Sequence, residues 1–478
     1  MEQILSSNLN AMASGIAEPI AVLTASRKRP ERITGATAAP HRRPGMRSCI
    51  IWMLLCGAAF VIYSHFWTKA PFADADTRSY TEMVPDISHF HFTKLYGRTP
   101  GLPIFFAFTG TSRAFFYAVL LLHFIGVTAL LMLLFRLGVR SSLVWTFGLL
   151  ALLPPYVQNV VYLLSEAVAA PFLILGFVSL CLFIFQRRWV YCVSASFWFA
   201  WAALARPTNV ITPFLLGLML VAFLGKKMIR PALVLVSVTT LLVGSYVLYT
   251  GAKFHYFGLS YLTGYHLTCT TVNFYEDIDN PIARDVLLKA RTEMYRQGLP
   301  PIDGVWLWQN KLKQALGLSD VQLGNFLLRM NIKLIAHHPE AYLEDSARSM
   351  VGYWFPYVTK YAVGNSRVGP ILKNLWDGIE DLVSATFLLE VVLLAGLTIG
   401  LKMYGEDILF RGGRALVFVL AAATIFQTQI VSCLMVGGEI PRYRSVTDLL
   451  ILFTVVLASD WIWTTSRAAR KSPARSED

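Results

Sequence analysis

Long apolar runs recur along this chain, separated by short polar connections. A membrane-crossing helix needs about 20 apolar residues, and roughly ten runs approach that length: 48–66, 115–135, 142–158, 167–185, 189–205, 209–224, 231–249, 386–402, 415–435 and 446–463. The pair 189–224 is one apolar stretch interrupted by Arg206-Pro207. Outer-membrane barrels show short alternating segments instead of continuous runs, so the pattern predicts an all-α polytopic membrane protein. Between the seventh and eighth runs the polarity rises, and helical periodicity returns at 305–317 and at 320–337. In the second of these, Leu323, Phe326, Leu327, Met330 and Leu334 repeat at three- and four-residue spacing. Ser319 or Asp320 is placed to cap that helix, and Pro339 opens another that ends near Trp354-Phe355-Pro356. These elements predict a helical cap on the outer membrane surface, with Trp306, Trp308, Tyr353, Trp354 and Tyr357 at headgroup level.

Composition agrees with the apolar pattern. The apolar share is 55%, the aromatic share 13% and the mean hydropathy +0.52, above what a soluble domain carries. The net charge of +13 is distributed as a topology signal. Arg27, Lys28, Arg29, Arg32, Arg42, Arg43 and Arg47 precede the first run, which places the amino terminus in the cytoplasm. Counting spans from there puts Arg136/Arg140, Arg187/Arg188, Lys226/Lys227/Arg230, Lys402/Arg411/Arg414 and Arg467/Arg470/Lys471 on the same side. Nucleic-acid binding is therefore not expected. Of the six cysteines, Cys269 alone falls clearly in an outer loop, so no disulfide framework is implied.

The chain divides into a basic cytoplasmic tail at 1–47, read as disordered and with Met46 as an alternative start, and a transmembrane catalytic module at 48–249 with its first outer loop at 67–112. An outer helical cap segment at 250–385, C-terminal transmembrane helices at 386–464 and a cytoplasmic tail at 465–478 follow. Short outer loops and the lack of a retention signal point to a bacterial inner membrane, with both termini cytoplasmic and the outer face periplasmic or extracellular.

The chemically dense positions fall on that outer face. Asp74 and Asp76 form an Asp-x-Asp pair, which can hold a divalent cation such as Mg or Mn through oxygen ligands or leave one carboxylate as a base oriented by the other. An acidic surface loop has the same appearance. Glu166, in Leu164-Ser165-Glu166, stands at an apolar helix end, where a carboxylate either favours the helix dipole or has a task of its own. Arg206 is placed to snorkel to headgroups or to bind an anion. Glu439-Ile440-Pro441-Arg442-Tyr443-Arg444 puts two guanidiniums on the side where the positive-inside rule disfavours them, and Arg offers bidentate geometry to phosphate. Arg98, near Pro100 and Pro103, and the pair His337-His338 are weaker signals; the histidines offer metal ligands but read as structural caps, because adjacent residues face different sides of a helix.

Taken in order, Asp76-x-x-x-Tyr80, Arg98-x-Pro-Gly-x-Pro103, Leu164-Ser165-Glu166, Ala205-Arg206-Pro207, His338-Pro-x-x-Tyr342 and Arg442-Tyr443-Arg444 resemble the GT-C superfamily of integral-membrane glycosyltransferases. That group includes protein O-mannosyltransferase-like and lipid A aminoarabinose transferase-like enzymes. The resemblance spans roughly residues 48–464 and implies transfer of a sugar from a polyprenyl-phosphate donor to a lipid, glycan or protein acceptor on the non-cytoplasmic face. It implies Asp76 as the catalytic base with Asp74 beside it. Two departures are Asp76-Thr77 where many relatives carry Asp-Glu, and the lack of prolines after Arg-Tyr-Arg. Chemically, a lipid phosphate already leaves well from an anomeric carbon. The enzyme then needs a base, for which Asp76, Asp74 and Glu166 are the candidates, and cations, for which Arg442, Arg444, Arg206 and Arg98 are the candidates. A single displacement inverts the anomeric centre. A polyprenyl-linked oligosaccharide polymerase or ligase, a transporter or flippase, and a non-catalytic scaffold are the competing classes.

Overall fold

The computed structural model describes residues 44–66, 71, 73, 76–89, 91–353, 413–435 and 440–471, all within one compact unit, Pro40–Asp478. Asp74, the expected span 386–402, Trp354, Tyr357 and Glu439 lie outside the described residues, as does the tail up to residue 43. The architecture is all-helical among the described residues. The order begins with α1 (Met46–Phe66), the short α2 (Thr77–Thr81) and α3 (Val84–Ser88), α4 (Gly101–Thr109), α5 (Arg113–Arg136), α6 (Ser141–Ala151) and α7 (Pro154–Val157). It continues with α8 (Ser165–Gln186), α9 (Trp189–Ala205), α10 (Thr212–Leu224) and α11 (Ile229–Phe254). A second group follows: α12 (Thr263–Thr270), α13 (Pro281–Arg296), α14 (Gly304–Leu316), α15 (Asp320–His337) and α16 (Pro339–Tyr353). The chain then gives α17 (Gly413–Met435), α18 (Ile440–Arg444) and α19 (Asp448–Lys471).

Six helices among the described residues are long and apolar enough to cross a membrane: Met46–His65, Arg113–Arg136, Ser165–Gln186, Pro207–Leu224, Lys226–Phe254 and Gly413–Met435. Against the roughly ten expected, 142–158 does not form one span. It breaks into α6, of 11 residues, and the turn of α7. Pro154-Pro155 explains the break, because proline withholds an amide donor and its ring crowds the preceding turn. Trp189–Ala205, at 17 residues, is a shorter apolar helix.

Two apolar cores organise the molecule. The larger joins α1, α5, α6, α8, α9, α10, α17 and α19, with Phe115, Phe147, Phe177, Phe199 and Phe453 fully buried in it. The α9 helix packs on both α8 and α11, and α5 packs on α8. Phe177 and Phe453 meet edge to face at 5.9 Å, tying α8 to α19. The smaller core gathers Tyr265, Cys269, Tyr275, Leu287, Leu312, Leu323, Leu327 and Leu334 from α12 to α15 and the turn before α13.

In this smaller group α15 starts at the expected place, with Ser319 as its cap in a reciprocal box with Gln322. The α13 helix goes beyond the sequence expectation. Its signal was Asn280-Pro281, whose Asn side chain accepts a 3.0 Å bond from the Ala283 amide. Tyr353 is not a headgroup anchor. It is fully buried, with its hydroxyl 2.8 Å from Thr447 Oγ1.

A structural ion cluster closes the far end of the bundle. Asp460, 1% exposed, receives Arg140 Nε at 2.8 Å and Arg414 Nη1 at 2.9 Å. Arg414 also donates to the Leu137 and Gly138 carbonyls at 2.5 and 2.7 Å. Two of the basic residues that marked the cytoplasmic side in the sequence thus also neutralise a buried carboxylate.

Candidate active site

At the other end of the bundle, the residues between α1 and α4 fold onto the ends of α8 and α9. Thr77 Oγ1 donates 3.1 Å to the Leu163 carbonyl, and Thr99 Oγ1 donates 3.2 Å to the Ala205 carbonyl. Gly101 lies directly on the backbone of Leu204 and Ala205, where a Cβ would collide. Glycine is required here by the close approach of two chains.

Asp76 stands at the N-cap of α2 yet does not cap it, since its side chain makes no bond to that turn. Its Oδ1 instead accepts from Arg98 Nη2, and its Oδ2 accepts from Arg442 Nη2 at 3.2 Å. Arg98 is steadied by its Nε donating to Ser79 Oγ at 3.1 Å and by lying 5.3 Å over the Tyr80 ring. Arg442, from α18, continues the network by donating Nε to Glu166 Oε1 at 2.6 Å. Arg206 Nη1 reaches the same Glu166 oxygen at 2.6 Å, and Ser165 Oγ donates to Oε2 at 3.0 Å.

The result is an alternating chain of charge, Arg98, Asp76, Arg442, Glu166, Arg206. Glu166 is 2% exposed. A carboxylate so buried is retained only with partners, and removing one member of a buried pair costs about 3–5 kcal/mol. Ser165 does not cap α8, because Leu164 holds the N-cap position, so Glu166 combines a first-turn place with two guanidinium partners.

Arg206 corrects the snorkelling expectation. The helix ends at Ala205 because Pro207 follows; Arg206 is extended (φ −145°, ψ 114°) and its side chain turns inward, 5% exposed. Its guanidinium stacks 3.9 Å over the Tyr443 ring, and its Nε is buried with no hydrogen-bond partner among the described residues.

These groups face a cavity of about 440 Å³ lined by Asp76, Tyr80, Arg98, Arg206, Arg442 and Tyr443 on its charged wall. Pro207, Val210, Ile211, Val431, Leu434 and Met435 form an apolar wall, and Ser260, Thr263 and His266 form a third. Glu166 stands behind the guanidiniums and does not line the space. Arg444 is not brought to the cavity. It is 3% exposed and pairs with Asp448 at 3.0 Å one turn along the chain. Asp74 lies outside the described residues. Among those described, no group of three or more His, Cys, Asp and Glu side chains converges as a cation site requires.

Burial pushes the Asp76 carboxyl up, but the Arg98 and Arg442 charges outweigh it and hold the group below its ordinary value. The His266 imidazole is also depressed from its ordinary value. Burial first, and then the Arg98 charge, push it down to about 3, so the ring is neutral. Sequence inspection missed His266, since a lone histidine inside Gly264–Thr270 carries no motif. His338, by contrast, is structural: it stacks at 4.9 Å on Phe274 and meets Asp277 at 2.8 Å. A larger cavity of about 520 Å³ runs along α15 with His337, but the Arg329 and Lys333 that line it are exposed to solvent.

No protein-family model, no curated protein and no solved structure matches this chain.

Proposed function

We propose that this protein is a membrane glycosyltransferase that moves a sugar from a polyprenyl-phosphate donor to a hydroxyl of a lipid, glycan or protein acceptor. The observation that carries this is Asp76 held between Arg98 and Arg442 on a cavity with one charged and one apolar wall. A lipid-linked anion matches both walls at once. Guanidiniums take phosphate oxygens in forked geometry, and the apolar side at 207–211 and 431–435 receives the first part of a lipid chain.

Charge counting favours a monophosphate donor over the diphosphate of a polymerase or ligase. Among the described residues the network holds three guanidiniums against two carboxylates, and His266 adds nothing while neutral. A glycosyl phosphodiester brings one negative charge. A transport path would place ionisable groups along the spans. Here the network sits at helix ends, and the mid-span His123 is buried with its ring nitrogen 3.4 Å from the Ala151 carbonyl.

In the reaction, Asp76 takes the acceptor hydroxyl proton as the acceptor oxygen bonds to the anomeric carbon. The bond from that carbon to the phosphate oxygen breaks, and its electron pair leaves with the polyprenyl phosphate. The phosphate gains a second negative charge at this point. Arg98, Arg442 and Arg206 line the cavity as the cations to hold it, and holding charge that develops in the transition state is what accelerates the step. Glu166 is a positioning residue, fixing Arg206 and Arg442. One displacement inverts the anomeric configuration. The basic helix ends support an orientation with the far end of the bundle in the cytoplasm, and the reading puts the site on the periplasmic face of a bacterial inner membrane.

The test is transfer from labelled polyprenyl-phosphate sugars in membranes bearing wild type, Asp76→Asn or Arg442→Ala. Loss of the base lowers turnover by about 10²–10⁴-fold, and loss of one phosphate cation by about 10²-fold or more. Full transfer by both variants overturns the site, and no transfer from any such donor to wild type overturns the function.

A further inference from the structure

The three walls of the cavity differ in what they leave available. On the charged wall, Asp76, Arg98, Arg206 and Arg442 are committed largely to one another. On the wall built by α12 and the loop before it, two hydroxyls are spent internally: Ser260 Oγ donates to the Gly97 carbonyl, and Thr263 Oγ1 donates 3.1 Å to the Ser260 carbonyl. The imidazole of His266 is different. It lines the cavity, meets the Trp306 ring edge-on at 5.2 Å, and makes no hydrogen bond to the described residues. A neutral imidazole offers one N–H and one lone pair. Both are open to a ligand.

The scaffold beneath His266 is rigid, as a recognition group requires. Trp306 is itself stacked on Tyr265 at 5.4 Å. The α12 helix is pressed against α15 so closely that a Cβ at Gly264 would strike the Gly324 carbonyl. Buried Asn331 fastens the same contact, with Nδ2 donating to the Gly264 carbonyl at 3.0 Å and to Thr268 Oγ1 at 2.9 Å, and Oδ1 accepting from Thr271 Oγ1 at 2.5 Å. This polar network is complete, so it fixes the helix and leaves His266 as the group that faces outward.

We infer that His266 is a specificity-determining residue that hydrogen-bonds a hydroxyl of the neutral, sugar part of the donor, opposite the guanidiniums that hold its phosphate. This role rests on the glycosyl-phosphate function proposed for the same cavity. It fixes the direction in which the donor lies: phosphate against Arg98, Arg206 and Arg442, lipid along 207–211 and 431–435, and hydroxylated ring toward α12. A hydrogen bond from a neutral ring suits this task, because a charged group there would compete for the phosphate.

The experiment compares equilibrium binding of two probes of equal charge, a polyprenyl glycosyl phosphate and a polyprenyl methyl phosphate that has no sugar hydroxyls. His266→Phe keeps a ring against Trp306 and removes the hydrogen bonds; His266→Gln keeps a donor and an acceptor. The expected result is about tenfold weaker binding of the glycosyl probe by the Phe variant, the size of one lost hydrogen bond, with near-full recovery by Gln and no change for the methyl probe. Equal binding of the glycosyl probe by wild type and the Phe variant overturns the inference while leaving the function standing. Equal weakening of both probes also overturns it, since that marks a structural role. Failure of wild type to bind either probe overturns the glycosyl-phosphate function itself.

Discussion

Asp76 and His266 share one cavity and respond to acid in different windows. The Asp76 carboxyl is held below its ordinary value of about 3.9 by two guanidiniums. Its pairing therefore contributes stability above that value and loses it only as pH falls through the depressed folded-state value. His266 acts earlier. An unfolded histidine binds a proton below about pH 6.5, whereas the folded ring resists until about 3. Across that interval the unfolded chain holds more protons, so stability rises with pH and falls on acidification. The thermal midpoint of the purified protein in detergent is expected to drop between pH 6.5 and 4.5, and His266→Phe is expected to flatten that drop. A slope unchanged by the substitution would contradict the neutral, ligand-facing ring. Sequence located Asp76, Arg98, Glu166, Arg206 and Arg442 individually. It did not separate Arg442, which faces the cavity, from Arg444, which faces Asp448, because the turn of α18 decides which of the two points inward.

At the scale of elements, the site depends on how closely α4 approaches α9. Arg98 precedes α4 and Arg206 follows α9, and the contact of Gly101 with the backbone of Leu204 and Ala205 sets the distance between them. Gly101→Ala removes no chemistry, yet it must push these elements apart. Overpacking of this kind costs about 1–3 kcal/mol, and a 1 Å displacement of positioning groups lowers turnover by about 10²-fold. Thermal unfolding together with the transfer assay checks both, and unaltered turnover would show that the contact does not position the site. The helices themselves were largely legible. Ser319, Pro339 and the spacing of Leu323, Leu327 and Leu334 marked α15 and α16 correctly. The 142–158 run misled because hydropathy ignores the local restriction imposed by Pro154-Pro155.

For the whole molecule, the site network reaches Arg442 just before α19 begins, and the cluster of Arg140, Arg414 and Asp460 gathers about midway along α19. Asp460 follows Asp448 by twelve residues, about 18 Å of helical rise. The proposed orientation makes residues near Asp76 accessible from outside and the α8–α9 turn accessible from the cytoplasm. In a cysteine-free background, the exposed position Ser88, as Ser88→Cys, is expected to react with an impermeant thiol reagent in intact cells. Arg188→Cys, also at an exposed position, is expected to react only after permeabilisation. The reverse pattern would invert the topology.

The sequence by itself determined that the protein is helical and built from membrane-length apolar runs, because hydrophobic periodicity and proline or cap chemistry act over a few neighbouring residues. It also marked the charged positions that stand at helix ends. Only the tertiary structure decided that residues 76, 98, 166, 206 and 442 form a single network, that Glu166 supports guanidiniums without reaching the cavity, and that His266 completes the third wall. Such groupings depend on packing between distant segments. A glycine-sized approach at Gly101 or Gly264 or one turn of helix at Arg442 changes which side chains meet, and nothing local to each residue records the outcome.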